Sequence, residues 1–371
     1  MTGIQSIRVE IYESIGEIDQ LAPDWIALEE RTPEATGFQS FTWCRSWLAA
    51  RQTSGSLAKL CVVAVFGDQR LVMLWPLEIE QQAKISIARW IGEPITQYGD
   101  ILAEPGEDRV HWFEAAREHL WRRRGVDLFA LSRLRGDSVL AQLALGLEAA
   151  GPRTSAPFVD LTCFEHRENG RSRHKSMSRR AKQLASLGQV SLRVVEDPAA
   201  RIETVRTALA QKRFWLQAKG LYSTGLTHAA TDAFFDRIAA TGNLLVHALL
   251  VGQETAAVEI GFIHRTAYRS LLGTFGLRFA AGSPGHALTS LLLEKCAAQG
   301  LETFDFLAPN DPYKMIWAKK TVEIDTLLKP LTIWGHAGAF ALKRLRPLAK
   351  RAQTALPQSA RRALRKIAAS P

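Results

Sequence analysis

One stretch of this 371-residue chain, residues 268–317, constrains its fold more than any other. An apolar segment of strand length, YRSLLGTFG, leads into a loop rich in glycine and proline, LRFAAGSPGHA. Leucines at helical spacing follow, Gly300 ends the helix pattern, and the apolar segment FDFL predicts a second buried strand. The start of such a helix presents unpaired backbone N–H groups and the positive end of the helix dipole to an anion.

The residues of this turn exclude two common anion-binding loops. It is not a P-loop, because no Gly-Lys-Ser or Gly-Lys-Thr follows the glycines. It is not the dinucleotide-binding fingerprint, because the segment from Gly282 to Gly285 lacks the third glycine and an acidic residue about 20 positions further on. The turn is therefore predicted to bind an anionic ligand as a different type of loop.

The segment RFAAGSPGHA, which starts at Arg278, resembles the acyl-CoA loop of GNAT acyltransferases. The helix after it, the FDFL segment at Phe304 and the YKxxW pattern at Tyr313 follow in order. This ordered set resembles the cellulose-biosynthesis-type GNAT branch, which is related to the FemAB peptidyltransferases. The resemblance extends more thinly over residues 20–330.

The element pattern predicts a mixed α/β fold, with helices between strands. The resemblance implies tandem GNAT-like domains, each a twisted mixed sheet flanked by helices, followed by a basic helical tail. We expect an N-terminal GNAT-like domain over 1–165, a GNAT acyltransferase domain over 172–335 and a basic amphipathic tail over 336–371. In the first half, apolar residues at helical spacing predict one amphipathic helix over 15–30.

Composition narrows the class of protein further. The N-terminus has no apolar signal core, and no uncharged apolar run is long enough to predict a transmembrane helix. The four cysteines are far apart and form no CxxC pair, so we expect buried reduced thiols and no metal.

The positive charge of the chain is concentrated in the tail. The net charge is +10, but residues 336–371 hold nine lysines and arginines and no acid, so the rest of the chain is close to neutral. Leucines alternate with these cations, which is typical of an interfacial helix on anionic lipid. A disordered basic extension is the alternative. Nucleic acid is the second choice of partner, but no specific nucleic acid is expected, because the tail holds one aromatic residue after Trp334 and no known binding motif.

Glu259 is the first candidate for the catalytic base. It lies in the apolar strand pattern AAVEIGF, where a carboxylate is costly unless it is paired or functional. Burial would raise its pKa toward that of a base poised near neutrality. A structural ion pair or an outward-facing edge position are the alternatives.

Four further residues are candidates for catalysis from their places near the turn. His286 could act as a base or donor, or face solvent at the helix start. Asp305 could face the cleft or hold Lys314. The resemblance makes Tyr313 an acid, with packing as its alternative role. It makes Lys314 a group that orients a carbonyl or an anionic acceptor, with a salt bridge as the alternative.

The same resemblance implies that acyl-CoA is the co-substrate and that it binds at the turn and just beyond it. The implied cofactor-binding residues are Arg278, Gly282, Ser283, Gly285, His286 and Asn310. A predicted basic helix over 172–187, preceded by Arg171, has no acid and could bind a phosphate of CoA or of an acceptor; a solvated surface is the alternative.

The function implied is an acyl-CoA-dependent N-acyltransferase acting on an amine of a cell-envelope lipid or glycan. The basic tail favours a lipid such as a sphingoid base, as in bacterial ceramide synthases of GNAT type. The alternatives are a polysaccharide acetyltransferase of cellulose or exopolysaccharide biosynthesis and a catalytically inactive GNAT-like scaffold in an envelope-synthesis complex. We expect a cytoplasmic protein, peripheral at the inner face of the membrane, with an anionic membrane surface as the partner of residues 336–371.

Overall fold

The computed structural model describes residues 6–56, 58–143, 148–149, 153–163, 180 and 182–345. These residues divide into two compact units. The first holds the described residues of Met1–Thr154, Thr227–Thr231 and Val322–Pro371, and the second those of Ser155–Leu226 and Asp232–Thr321. The predicted domain boundaries stay a prediction.

The first unit is built on a mixed sheet. Its strands are β1 (Ile7–Tyr12), β2 (Lys59–Gly67), β3 (Arg70–Gln82), β4 (Ile85–Trp90), β5 (Leu102–Ala103), β6 (Leu128–Arg135), β7 (Glu148–Ala149) and β14 (Lys320–Pro330). Its helices are α1 (Ile15–Gln20), α2 (Ala22–Arg31), α3 (Phe41–Thr53), α4 (Arg109–Trp121), α5 (Val139–Leu143) and α11 (Ile333–Phe340). The pairing order is β1-β2-β3-β4-β6-β14, and β4 and β6 run parallel while the other pairs on this path run antiparallel.

The single helix predicted over 15–30 is wrong in one detail, because the chain forms two helices there. Leu21 ends α1 and begins α2, and Pro23 lies in the first turn of α2. Proline is tolerated there because the first turn has no intrahelical N–H bond to lose. Ser14 and Glu17 form a capping box that fixes the start of α1.

The second unit is also built on a mixed sheet with helices packed on it. Its strands are β8 (Thr154–Asp160), β9 (Val190–Val194), β10 (Leu245–Val251), β11 (Glu254–His264), β12 (Ala267–Phe275) and β13 (Thr303–Asp305). Its helices are α6 (Pro198–Ala218), α7 (Thr224–Thr227), α8 (Thr231–Ala240), α9 (Pro284–Ala298) and α10 (Pro312–Met315). The pairing order is β8-β13-β12-β11-β10-β9, and only β12 and β13 among these pairs run parallel.

Both units therefore contain an antiparallel meander of three strands, then a helix, then a strand parallel to the last strand of the meander. Helix α4 makes this connection in the first unit and α9 in the second. The core of each unit lies between its sheet and its helices, and leucine, valine and aromatic side chains fill it. The predicted mixed α/β fold with two sheet-and-helix units is confirmed. In the described ranges, no helix has both the length and the apolar character needed to span a bilayer.

Candidate active site

The parallel strands β12 and β13 of the second unit pair over only three residues each. The register joins Ala267–Arg269 to Thr303–Asp305, after which β12 continues to Phe275. The chain leaves β13 at Phe306, whose N–H donates to the carbonyl of Pro157 at 3.0 Å. The two strands therefore separate beyond Arg269. The helix that joins them, α9, begins nine residues after β12 ends, and the residues around this separation form the candidate site.

The strand β12 is irregular where it borders this opening. Ile260 pairs with Leu272 and Gly261 pairs with Ser270, so Leu271 is one extra residue on β12. Such a β-bulge leaves its extra residue outside the ladder and bends the strand, and bulges are frequent next to active sites. The bulge lies between Ser270 and Gly273, the two residues that surround Glu259.

Glu259 lies on β11, in the interior of the sheet, with 6% of its surface exposed. Its carboxylate accepts a hydrogen bond from the Ser270 hydroxyl. Across the sheet it pairs with Gly273, and a Cβ at Gly273 would lie 2.7 Å from Glu259 Oε2. The missing side chain of Gly273 therefore leaves room for the carboxylate. Glu259 therefore does not occupy an outward-facing edge position, which is one alternative predicted from the sequence.

Burial raises the pKa of Glu259 to about 7. The Ser270 hydroxyl and the positive charges of Lys212 and Lys314 act in the opposite direction and favour the carboxylate. The side chain therefore exchanges a proton near neutral pH, which is the property a general base needs. The value comes from burial, since no like charge contributes to it.

Lys212 on α6 is a part of the site that sequence reasoning missed. Its ammonium group donates to the carbonyl of Gly273 at 3.0 Å, so it contacts the strand that faces Glu259. Burial lowers the pKa of Lys212, while the carboxylates of Glu259 and Asp311 oppose that shift. A lysine within a long helix carries no sequence signal of this role, because only the packing of α6 on β12 brings it here.

A second group of side chains surrounds Tyr313 on α10. The Tyr313 hydroxyl lies 3.0 Å from the hydroxyl of Thr289 on α9. The His286 ring contacts the rings of Tyr313 at 5.4 Å and Trp317 at 5.9 Å between centroids. Burial and, second, the charge of Glu259 raise the pKa of Tyr313, so its hydroxyl stays protonated and can donate. Burial and the charge of Arg180 lower the pKa of His286.

Asp305 and Lys314 hold the turn after β13. Asp305 is buried, and its Oδ1 accepts from the N–H of Leu307 at 2.8 Å. Lys314 donates to the carbonyls of Leu307 at 2.8 Å and Pro309 at 3.0 Å. Leu307 has a φ of 59°, a left-handed conformation that is costly for leucine and needs such support. Both side chains therefore have a structural contact to the turn, whatever they contribute to chemistry.

The glycine-rich turn differs from the open loop that its composition suggests. Leu277–Gly282 forms a 3₁₀ helix, and Ser283 adopts a left-handed conformation with a φ of 50° before Pro284 starts α9. Gly282 is buried, and a Cβ there would lie 2.6 Å from Cγ and Cδ2 of Leu184. This glycine is therefore required by close packing on Leu184.

Gly285 has the free space that Gly282 lacks. The nearest atom to a Cβ at Gly285 would be Cδ1 of Phe275, at an ordinary 3.9 Å. Gly285 lies in the first turn of α9, whose start has no side-chain cap hydrogen bond, and such a turn presents backbone N–H groups to an anion. The start of α9 thus fits a phosphate or pyrophosphate group.

The other residues predicted to bind CoA are exposed or lie partly outside the described residues. Arg278 is exposed and donates to Glu254 Oε2 at 2.6 Å, so binding a phosphate would require it to leave this ion pair. Asn310 is exposed in the segment before α10. Of the predicted basic helix over 172–187, residues 182–185 are helical and Leu184 is buried, while residues 171–179 and 181 lie outside the described residues.

The first unit also buries a carboxylate in the middle strand of its meander. Glu78 on β3 accepts from Arg51 at 2.9 Å and from the Trp47 indole at 3.2 Å. Burial raises the pKa of Glu78 to about 8, with the charge of Arg51 opposing it. Arg51 also donates to Glu80 at 2.6 Å. Arg51 holds the Glu78 carboxylate in a buried ion-pair network, whereas the Ser270 hydroxyl and the charges of Lys212 and Lys314 act on Glu259. Glu259 therefore remains the candidate for proton transfer.

Comparisons with known proteins identify the family of residues 171–315 and the type of fold. A family model described as an acetyltransferase (GNAT) domain matches residues 171–315. The solved structure of FemX is similar with a TM-score of 0.57 and 10% identity, over 85% of this chain and 96% of that one. L-PGS from Bacillus licheniformis is similar with a TM-score of 0.54 and 12% identity, over 90% of this chain and 98% of that one. A conserved protein of unknown function from Bacteroides thetaiotaomicron has a TM-score of 0.54 and 11% identity, over 87% and 100%.

No curated protein matches the chain. The family match confirms the predicted GNAT acyltransferase domain, and the chain shares its fold with FemX. Residues 171–315 thus form the acyltransferase domain of an enzyme of the N-acyltransferase class, whose fold uses acyl-CoA. In the part of the chain that the structure describes, no cluster of three or more histidine, cysteine or acidic side chains could hold a metal ion.

Proposed function

We propose that the second unit transfers an acyl group from acyl-CoA to an amine of a cell-envelope lipid, such as a sphingoid base, or of a glycan. The observation that carries this proposal is the buried carboxylate of Glu259, with a pKa of about 7, beside the separation of β12 and β13. Acyl-CoA supplies the activated acyl thioester. The residues of the chain supply positioning and proton transfer.

Glu259 accepts the proton that the attacking amine loses. Lys212 and Lys314 favour the carboxylate form before the transfer, and the Ser270 hydroxyl orients it. Tyr313 keeps its proton at Oη and is the group that can donate to a leaving thiolate. Gly285 and the first turn of α9 hold the pyrophosphate, and Arg278 and Asn310, which are both exposed, are further candidates for contact with CoA.

Exposed apolar side chains in the second unit support an acceptor or acyl group with a hydrocarbon chain. Phe214 in α6 is 62% exposed, and Leu221 and Tyr222, which follow α6 in the chain, are also exposed. Large exposed apolar side chains that form a patch often mark binding surfaces. This observation favours the lipid over the polysaccharide acceptor.

The basic tail supports a place for the enzyme at the inner face of the membrane. Residues 336–371 carry nine cations and no acid, and anionic lipid attracts such segments by about 1 kcal/mol per cation. We propose that the protein is cytoplasmic and binds an anionic membrane surface through this part of the chain. Residues 346–371 lie outside the described residues.

Two measurements test the proposed function. Calorimetric titration of the full chain with CoA should show binding, and incubation with radiolabelled acyl-CoA should label a long-chain amine more rapidly than a short water-soluble amine. CoA binding without transfer to any amine in a panel of sphingoid bases, amino sugars and short amines would favour an inactive scaffold. Transfer to amino sugars alone would favour the polysaccharide acetyltransferase.

A further inference from the structure

Helix α11 of the first unit exposes its large apolar side chains and buries its small ones. Ile333 is 80% exposed, Trp334 66% and Phe340 59%. The residues that this helix buries are Gly335, Gly338 and Ala339. Ile333 and Phe340 are seven positions apart and share one face of the helix, and Trp334 lies next to them. This is the reverse of an ordinary surface helix, whose apolar stripe faces the core.

Close contacts fix this orientation. A Cβ at Gly335 would lie 1.8 Å from the carbonyl oxygen of Asp127, so only glycine allows the helix to approach the chain there. The hydroxyl of Thr332 donates to Asp127 Oδ1 at 2.6 Å and accepts from the N–H of Gly335 at 3.1 Å. The N–H of Leu331 donates to the Asp127 carbonyl at 2.8 Å. The helix cannot turn its apolar face inward without losing these contacts.

The charged residues that flank this helix along the chain have one sign, and the Asp127 carboxylate at its start is bonded to Thr332. After Asp325 the chain has no acidic residue, and Lys329 precedes the helix while Lys343 and Arg344 follow it. Seven further cations lie among residues 346–371. A tryptophan and other large apolar side chains flanked by cations fit the boundary between the headgroups and the acyl chains of an anionic bilayer.

We propose that the face of α11 formed by Ile333, Trp334 and Phe340 inserts into the surface of an anionic membrane. The tail after residue 345 attracts the surface electrostatically, whereas this face supplies the apolar contact. An acidic protein and a second copy of this chain are the alternative partners for this face. The first unit has the same cationic surroundings in a second copy, so charge disfavours self-association at this face.

The test uses the full chain with three serine substitutions, Ile333→Ser, Trp334→Ser and Phe340→Ser, together. The matched control is Ile26→Ser with Val110→Ser, which are also exposed apolar residues on helices of the first unit. Co-sedimentation is measured with vesicles of phosphatidylglycerol and phosphatidylcholine and with phosphatidylcholine alone. We expect the triple variant to partition at least about tenfold more weakly onto the anionic vesicles, and the control to bind like the unchanged protein.

A second measurement identifies the inserted residue directly. Brominated acyl chains should quench the fluorescence of the unchanged protein more than that of Trp334→Phe, although Trp334 is one of ten tryptophans. Equal quenching of both proteins, or equal pelleting of the triple variant and the unchanged protein, would overturn the proposal. So would a loss of self-association in the triple variant with unchanged vesicle binding, which would assign the face to a second copy.

Two controls separate this proposal from the proposed enzymatic function. The triple variant should keep its thermal unfolding midpoint, its CoA affinity and its transfer to a water-soluble amine, because the three side chains are exposed and lie in the first unit. If the protein binds vesicles through α11 but transfers no acyl group, the result would support membrane binding by this face and refute the proposed acyl transfer.

Discussion

The carboxylate of Glu259 occupies space that the missing side chain of Gly273 leaves open. The two residues pair across β11 and β12, and a Cβ at Gly273 would lie 2.7 Å from Glu259 Oε2. Lys212 bonds to the carbonyl of the same glycine. A buried carboxylate, the glycine that leaves room for it and a lysine that favours its charged form thus meet at one position of the sheet.

Replacing Glu259 by glutamine should lower turnover by about 100-fold or more with folding intact, because the general base is lost while the shape is kept. In the unchanged enzyme, kcat/KM should rise as pH increases through about 7, since the carboxylate is the active form and burial places its pKa there. The measurement is a pH-rate profile of both proteins, with Glu302→Gln, at an exposed residue of the same unit, as the control. Normal turnover of Glu259→Gln at every pH would refute the role.

Replacing Lys212 by methionine should move the acid limb of the kcat/KM profile to higher pH. The positive charge that favours the Glu259 carboxylate is removed, so the pKa of Glu259 rises further. Lys212→Arg should restore much of the original profile. Lys219→Met is the matched control, because Lys219 also lies against the Trp215 ring but is exposed. An unshifted limb in Lys212→Met, with an unchanged unfolding midpoint, would contradict the assignment.

The two glycines of the turn should respond differently to substitution. Gly285→Val should weaken CoA binding, measured by calorimetry, because bulk at the first turn of α9 blocks the approach of the pyrophosphate. Gly282→Ala should lower the unfolding temperature, because its methyl group would press on Leu184. Unchanged CoA affinity and transfer in Gly285→Val would show that the pyrophosphate binds elsewhere.

Asp305→Asn should keep most of the activity, while Asp305→Ala should lose stability by about 1–3 kcal/mol, because the buried N–H of Leu307 would have lost its acceptor. An asparagine oxygen can still accept from that N–H. Chemical denaturation and kcat measured on both variants distinguish the roles. A large loss of kcat in a stable Asp305→Asn would instead place the carboxylate in the chemistry.

Removing residues 346–371 should weaken binding to anionic vesicles and reduce its dependence on salt, because seven of the nine tail cations are lost. A cut at residue 339 would be less informative, since Ala339 is buried and Leu342 packs on the core of the first unit. CoA binding should persist. Co-sedimentation at several salt concentrations is the measurement, and equal pelleting of both proteins on anionic vesicles would refute the role of the tail.

Local sequence patterns are sufficient to predict the fold class and the position of the glycine-rich turn. The strand YRSLLGTFG, the glycines, the leucines of α9 and the FDFL segment are each short-range signals, and the structure places them as β12, a 3₁₀ helix, α9 and β13. Glu259 was detectable because a carboxylate in an apolar strand pattern is costly. These inferences need only the periodicity and polarity of neighbouring residues.

Only the tertiary structure decided which residues surround Glu259 and which glycine is free. Ser270 and Gly273 reach it through the register of β11 and β12, and Lys212 through the packing of α6, none of which a local pattern encodes. Both glycines of the turn look alike in the sequence, but Leu184 covers Gly282 and leaves Gly285 open. Contacts between residues far apart in the chain depend on how whole elements pack, and composition and spacing therefore leave them undetermined.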